Sequence, residues 1–137
     1  MYRASHPRGY GSVRNARRAV SAFAASCGFE GALLSDVESA AGEALANAAE
    51  HGDRESLTGF DVIATFDGTQ LVIEVQDHGA GFDAGAVLHS APPSLGGNRG
   101  FGIHLMRTLM DDVRYSDRGS RVQLVKRLKQ QTADCFS

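Results

Sequence analysis

Glu43 and Asn47 stand four residues apart in an alanine-rich stretch from Asp36 to His51 that carries strong helix propensity. At that spacing their side chains are neighbours on one helix face. They flank an apolar stripe of Val37, Ala41, Ala44 and Ala48, at the edge where the helix meets whatever it packs on. A carboxylate in that position can orient a hydroxyl or take its proton. A carboxamide oxygen beside it suits a hard cation such as Mg²⁺. The plainer alternative is a solvated glutamate hydrogen-bonded along the helix to an asparagine.

Two glycine-rich segments add to this pair. Asp77-His78-Gly79-Ala80-Gly81-Phe82 follows an apolar run directly. Glycines allow backbone to approach a ligand and to adopt positive φ. The carboxylate of Asp77 can accept from an exocyclic amine such as that of adenine, or it can cap an ordinary turn. Downstream, Gly96-Gly97-Asn98-Arg99-Gly100-Phe101-Gly102 leads into a helical pattern. Backbone N–H groups in such a turn form an anion site, and Arg99 sets a fixed positive charge beside it. The alternative is a flexible loop before a helix. The spacing is not that of a P-loop, which requires Gly-Lys-Ser/Thr. It is not a Rossmann fingerprint either, because no strand precedes it.

These residues need positioning elements. Ser12 reads as an N-cap, and Val13, Ala16, Val20, Phe23 and Ala24 recur at helical spacing up to Cys27, with Gly28 as the stop. The second helix starts near Ser35 and ends at Gly52. The period then changes to that of strands at Phe60–Phe66 and Leu71–Val75, with Asp67-Gly68 as a hairpin signal between them. The stretch from Asp77 to Gly102 is long and aperiodic, apart from one turn of helix at Ala84–Leu88, which favours a lid or binding loop. A third helix spans Phe101–Met110, with Ile103, Met106, Leu109 and Met110 on its apolar side and His104 and Arg107 toward solvent. Val113–Tyr115 and Val122–Val125 read as two further strands turned by Asp117-Arg118-Gly119. Strands gathered in one sheet with three helices on one face predict an α+β two-layer sandwich with a mixed, mostly antiparallel sheet. Residues 1–11 form a polar tail or a short edge strand, 12–128 the single domain, and 129–137 a polar tail.

At 137 residues and a formal net charge of −2, the chain lacks the overall basic balance expected of a nucleic-acid binder. Basic residues do cluster, as Arg3, Arg8, Arg14, Arg17 and Arg18 near one end and Arg121, Lys126, Arg127 and Lys129 near the other. They read as solvated faces or as a docking surface for an acidic partner protein. Cys27 and Cys135 show neither metal-type nor redox-type spacing. No signal peptide and no membrane-spanning run is apparent, so a cytoplasmic location is expected.

E-x-x-x-N on a helix, D-x-G-x-G after a strand and G-x-G at a helix start, in that order, resemble the three ATP-binding boxes of the GHKL ATPase superfamily. Within it, Glu43–Gly52, Arg99–Met106, Met110–Val113 and Gly119–Val122 are similar to the anti-sigma-factor serine kinases, and the likeness runs from Ser12 to Leu128. The resemblance implies a Bergerat-type ATP-binding fold. It implies Glu43 as the general base, Asn47 as the Mg²⁺ ligand, and Asp77 on the adenine amine, with Gly79 and Gly81 closing over the base. Residues 83–98 would form a lid. Gly100, Phe101 and Gly102 would line the phosphates, with Arg99 reaching the terminal one, and Ser120 would stand near adenine where many relatives carry Thr. The implied activity is serine-protein kinase action on a STAS-type anti-anti-sigma protein, with a sigma factor held otherwise and a homodimer as the assembly. The alternative is a non-catalytic ATP-binding module that regulates a protein partner by contact alone. Arg17 would lie on the face such kinases use for partners.

Overall fold

The structure, a computed structural model, describes residues 1–7, 10–55, 59–77, 98–116 and 121–128. Its elements are β1 (Tyr2–His6), α1 (Tyr10–Ser26), α2 (Gly31–Glu55), β2 (Phe60–Phe66), β3 (Gln70–Asp77), α3 (Asn98–Leu109), β4 (Asp112–Ser116) and β5 (Arg121–Arg127). The strands form one sheet in the order β1-β2-β3-β5-β4, and every pairing among them is antiparallel, where the sequence predicts a mixed, mostly antiparallel sheet.

Strand alternation decides the layers. Val62, Ala64, Leu71, Ile73, Val75, Val122 and Leu124 occupy one phase of β2, β3 and β5, and all are buried. They share one core with Ala16, Val20 and Ala24 of α1, Val37, Ala41, Ala44 and Leu45 of α2, and Ile103 and Met106 of α3. The three helices therefore cover one face of the sheet. Fully burying a side chain such as Leu45 or Ile73 contributes about 1.5–3 kcal/mol. The alanine stripe of α2 lets its backbone come close to the sheet, where the helix packs against β3.

Local chemistry sets the joints. Asp67 Oδ1 accepts from the Thr69 and Gln70 amides at 2.8 Å each, and Gly68 takes φ +102°, so Asp67-Gly68 turns β2 into β3. Gly28, at φ +108°, ends α1. β1 lies against β2, with Ala4 opposite Val62 and Ser5 Oγ donating to Asp61 at 2.7 Å. That pairing requires Gly59, because a β-carbon there would fall into the His6 carbonyl. Helix ends differ from the sequence expectation. Ser12 is the third residue of α1 rather than its cap, α2 starts before Ser35 and runs past Gly52, and α3 starts three residues early, at Asn98. The start of α2 moves because Leu33 and Leu34 pack on the core. The turn at 117–119 and the helical turn at 84–88 lie outside the described residues.

Candidate functional site

α2 places Glu43 and Asn47 on the side that faces α3. The contact point on α3 is Gly102, which is buried. A β-carbon at Gly102 would stand 2.7 Å from Glu43 Oε2 and 3.6 Å from Asn47 Nδ2. Glycine at this position therefore lets the start of α3 close onto the carboxylate. Both polar side chains are half-buried, and Asn47 Nδ2 is buried without a hydrogen-bond partner among the described residues. A buried donor left unmatched costs about 1–3 kcal/mol, so the structure holds an unsatisfied polar group in a built niche. The two ends of a carboxamide have the same shape. A half-turn presents Oδ1 in the same place, the oxygen that a hard cation takes.

The first turn of α3 adds the electrostatics. Its amides have no intrahelical acceptor, and no acidic residue of α3 offsets the positive end of the helix dipole. Arg99, Gly100 and Phe101 belong to that turn by backbone. Their side chains lie outside the described residues, as do Gly79, Gly81 and Ser120 altogether.

Asp77 is the last residue of β3, opposite Phe60, and is 6% exposed. It continues the inward phase of Leu71, Ile73 and Val75, so it faces the helix layer, where α2 packs against β3. Gln76 pairs with Arg121, so β3 ends and β5 begins at the same end of the sheet. Of the residues singled out in the sequence, the described structure thus brings Glu43, Asn47 and Gly102 into contact and sets Asp77 on the sheet face beneath the helices.

Two residues depart from their sequence reading. The helical pattern puts His104 toward solvent, but its Nε2 is buried without a hydrogen-bond partner among the described residues, whereas Arg107 is exposed. As part of a basic cluster, Lys126 reads as a solvated or partner-docking cation, yet it is 8% exposed and faces the helix layer. The signal for it was present, since the alternation of Val122 and Leu124 carries on to Lys126.

A second surface lies between α1 and α2. It is an open groove of about 600 Å³, lined by Arg14, Arg17, Arg18, Ser21 and Glu38 among others. Ser21 Oγ donates to the Glu38 carboxylate across it. Arg17 lies over Gly42, with its Nε 3.5 Å from where a β-carbon would be. Arg14, Arg17 and Arg18 against the single carboxylate of Glu38 give the lining a positive balance.

The histidine kinase-like ATPase domain family matches residues 7–126 of the chain. The serine-protein kinase RsbW of Bacillus licheniformis is 31% identical over 132 residues, which covers 86% of this chain and 79% of that relative. Among the described residues, no helix is long and apolar enough to cross a membrane.

Proposed function

Because the chain belongs to the histidine kinase-like ATPase domain family, which implies ATP use, we propose that it transfers the γ-phosphoryl group of ATP to a serine of a protein partner. The observation that supports this reading best is the carboxylate of Glu43 held against Gly102 at the start of α3, with the unmatched amide of Asn47 beside it. A protein that only held nucleotide would have no need of that carboxylate. In this reading the serine oxygen attacks the γ-phosphorus, the bond to the ADP oxygen breaks, and Glu43 takes the hydroxyl proton. Asn47 would hold Mg²⁺, which supplies charge neutralisation on the phosphates. Asp77 would accept from the adenine amine, with Gly79, Gly81 and Ser120 near the base. Gly100, Phe101 and Gly102 would contribute the phosphate-facing turn, and Arg99 the terminal-phosphate charge. Positioning and charge do most of the work of phosphoryl transfer, and this arrangement provides both.

The partners follow from the same kinship. A STAS-type antagonist would be the serine substrate and a sigma factor the second partner, both taken from the likeness to a serine-protein kinase. An acidic segment of such a partner would dock on the arginine groove of α1, where charge complementarity favours it. Arg17→Glu should then weaken partner binding and leave ATP affinity unchanged; unaltered partner binding would remove the groove from the proposal.

The decisive assay uses γ-labelled ATP, Mg²⁺ and a STAS-type protein from the same genome. Label should appear on serine with the wild-type protein and vanish with Glu43→Gln, while ATP binding persists in both. ATP binding by the wild type with no transfer to any such antagonist would instead support a module that acts by contact alone.

A further inference from the structure

Lys126 is an inward-facing residue of β5, 8% exposed, in a position where its neighbours Val122 and Leu124 are apolar. A buried cation is costly unless it is paired and hydrogen-bonded. Lys126 Nζ donates to the backbone carbonyl of Leu109, the last residue of α3, and lies 3.2 Å from Asp36 Oδ2 near the start of α2. No glycine or asparagine closes α3, since Met110, Asp111 and Asp112 follow Leu109. The ammonium therefore takes over one of the carbonyls that a helix C-terminus leaves open, at the negative end of the dipole. Its strand neighbours grip the same corner: Val125 O accepts from the Asp111 amide at 2.9 Å, and the Arg127 amide donates to Asp111 Oδ2 at 2.6 Å.

Asp36 lies seven residues before Glu43 on α2, and Leu109 lies seven residues after Gly102 on α3. At 1.5 Å per residue, each interval is about 10.5 Å along its helix. The two helices are thus joined at two points an equal distance apart. One is the Asp36–Lys126–Leu109 bridge, and the other is the meeting of Glu43 and Asn47 with Gly102. Between them the contact is apolar, through residues such as Ile103 and Met106, and apolar contact is non-directional and sets register weakly. A slip of one residue would move α3 by about 1.5 Å. The gap at Gly102 is smaller than a methyl group.

We propose that Lys126 is a positioning residue that fixes the register of α3 against α2 and, through it, the geometry of Glu43, Asn47 and Gly102. The functional part of this inference rests on reading that trio as the ATP site. The test compares Lys126→Met, Asp36→Asn and Val20→Ala, the last a buried α1 substitution that serves as a stability control. The readouts are melting temperature, ATP affinity, and ¹⁵N correlation spectra of the nucleotide-free protein followed at the Gly102 amide and the Asn47 side-chain amide. Lys126→Met should displace both signals and weaken ATP binding about tenfold, the loss expected from about one mispositioned hydrogen bond at the site. Asp36→Asn should displace the same signals by less, and it carries the test if Lys126→Met does not fold. Val20→Ala should lower the melting temperature and leave both signals in place. Signals in Lys126→Met or Asp36→Asn that coincide with wild type, alongside a lowered melting temperature, would overturn the inference. Failure of the wild type to bind ATP would count against the proposed function alone, because the spectra are read without nucleotide.

Discussion

Gly102→Ala separates stability from function at the proposed site. The added methyl carbon would stand 2.7 Å from Glu43 Oε2, whereas ordinary contact begins at 3.4 Å, so the carboxylate must retreat by about 0.7 Å. The obstructing atom is the far end of a flexible side chain, so the retreat costs little folding energy. Overpacking typically costs about 1–3 kcal/mol, and the low end applies here. Replacing glycine by alanine within a helix returns about 0.8–1.0 kcal/mol. The net change is about 0–0.2 kcal/mol, which corresponds to a melting shift of about 1 °C or less. Function should respond very differently. Moving a general base by most of an ångström costs about a hundredfold in turnover, or about 2.7 kcal/mol of barrier. Thermal melting, ATP affinity and serine phosphorylation measured on one preparation would show both effects. A folded Gly102→Ala protein that phosphorylates its partner within about twofold of wild type would refute the placement of Glu43 at the reacting centre.

Two further outcomes test the frame around the site. Gly59→Ala should destabilise the fold by about 1–3 kcal/mol in urea denaturation, because the atom in its way is the His6 backbone carbonyl, which cannot swing aside. An unchanged midpoint would mean that β1 does not depend on this close approach. Burial holds the His6 imidazole below its ordinary pKa of 6.5, against a smaller upward pull from Asp61. The unfolded chain then binds more protons in the window just below 6.5, so the stability due to the neutral ring is present above that value and lost as pH falls toward the folded pKa. Amide exchange of β1 should therefore speed up, beyond its intrinsic pH effect, on moving from about pH 7.5 to about pH 5.5. His6→Gln should flatten that dependence, and an equal dependence in the variant would assign it to another group.

Local patterns carried much of the fold into the sequence. The stripe of Val37, Ala41, Ala44 and Ala48 is buried as its spacing implied, and Asp67-Gly68 turns the β2–β3 hairpin. The neighbouring Glu43 and Asn47 followed from helix geometry alone. What stayed hidden depends on distant partners. Lys126 resembles one more surface cation until Asp36, ninety residues away in sequence, is brought beside it. The steric need for Gly59 appears only once His6 lies against it, and the insertion of β5 between β3 and β4 has no local signature. Gly102 was legible as a helix-start glycine, but its role as the point where α3 meets Glu43 needed the tertiary contact.

If α2 and α3 hold ATP between them through Glu43, Asn47 and Gly102, binding must respond to Mg²⁺ through Asn47. Calorimetric titration of ATP into the wild-type protein and Asn47→Ala, each with and without Mg²⁺, tests it most directly. The expected result is one site per chain in the wild type, tighter with Mg²⁺, and loss of that Mg²⁺ dependence in Asn47→Ala. No saturable ATP binding by the folded wild-type protein, or an undiminished Mg²⁺ effect in Asn47→Ala, would contradict it.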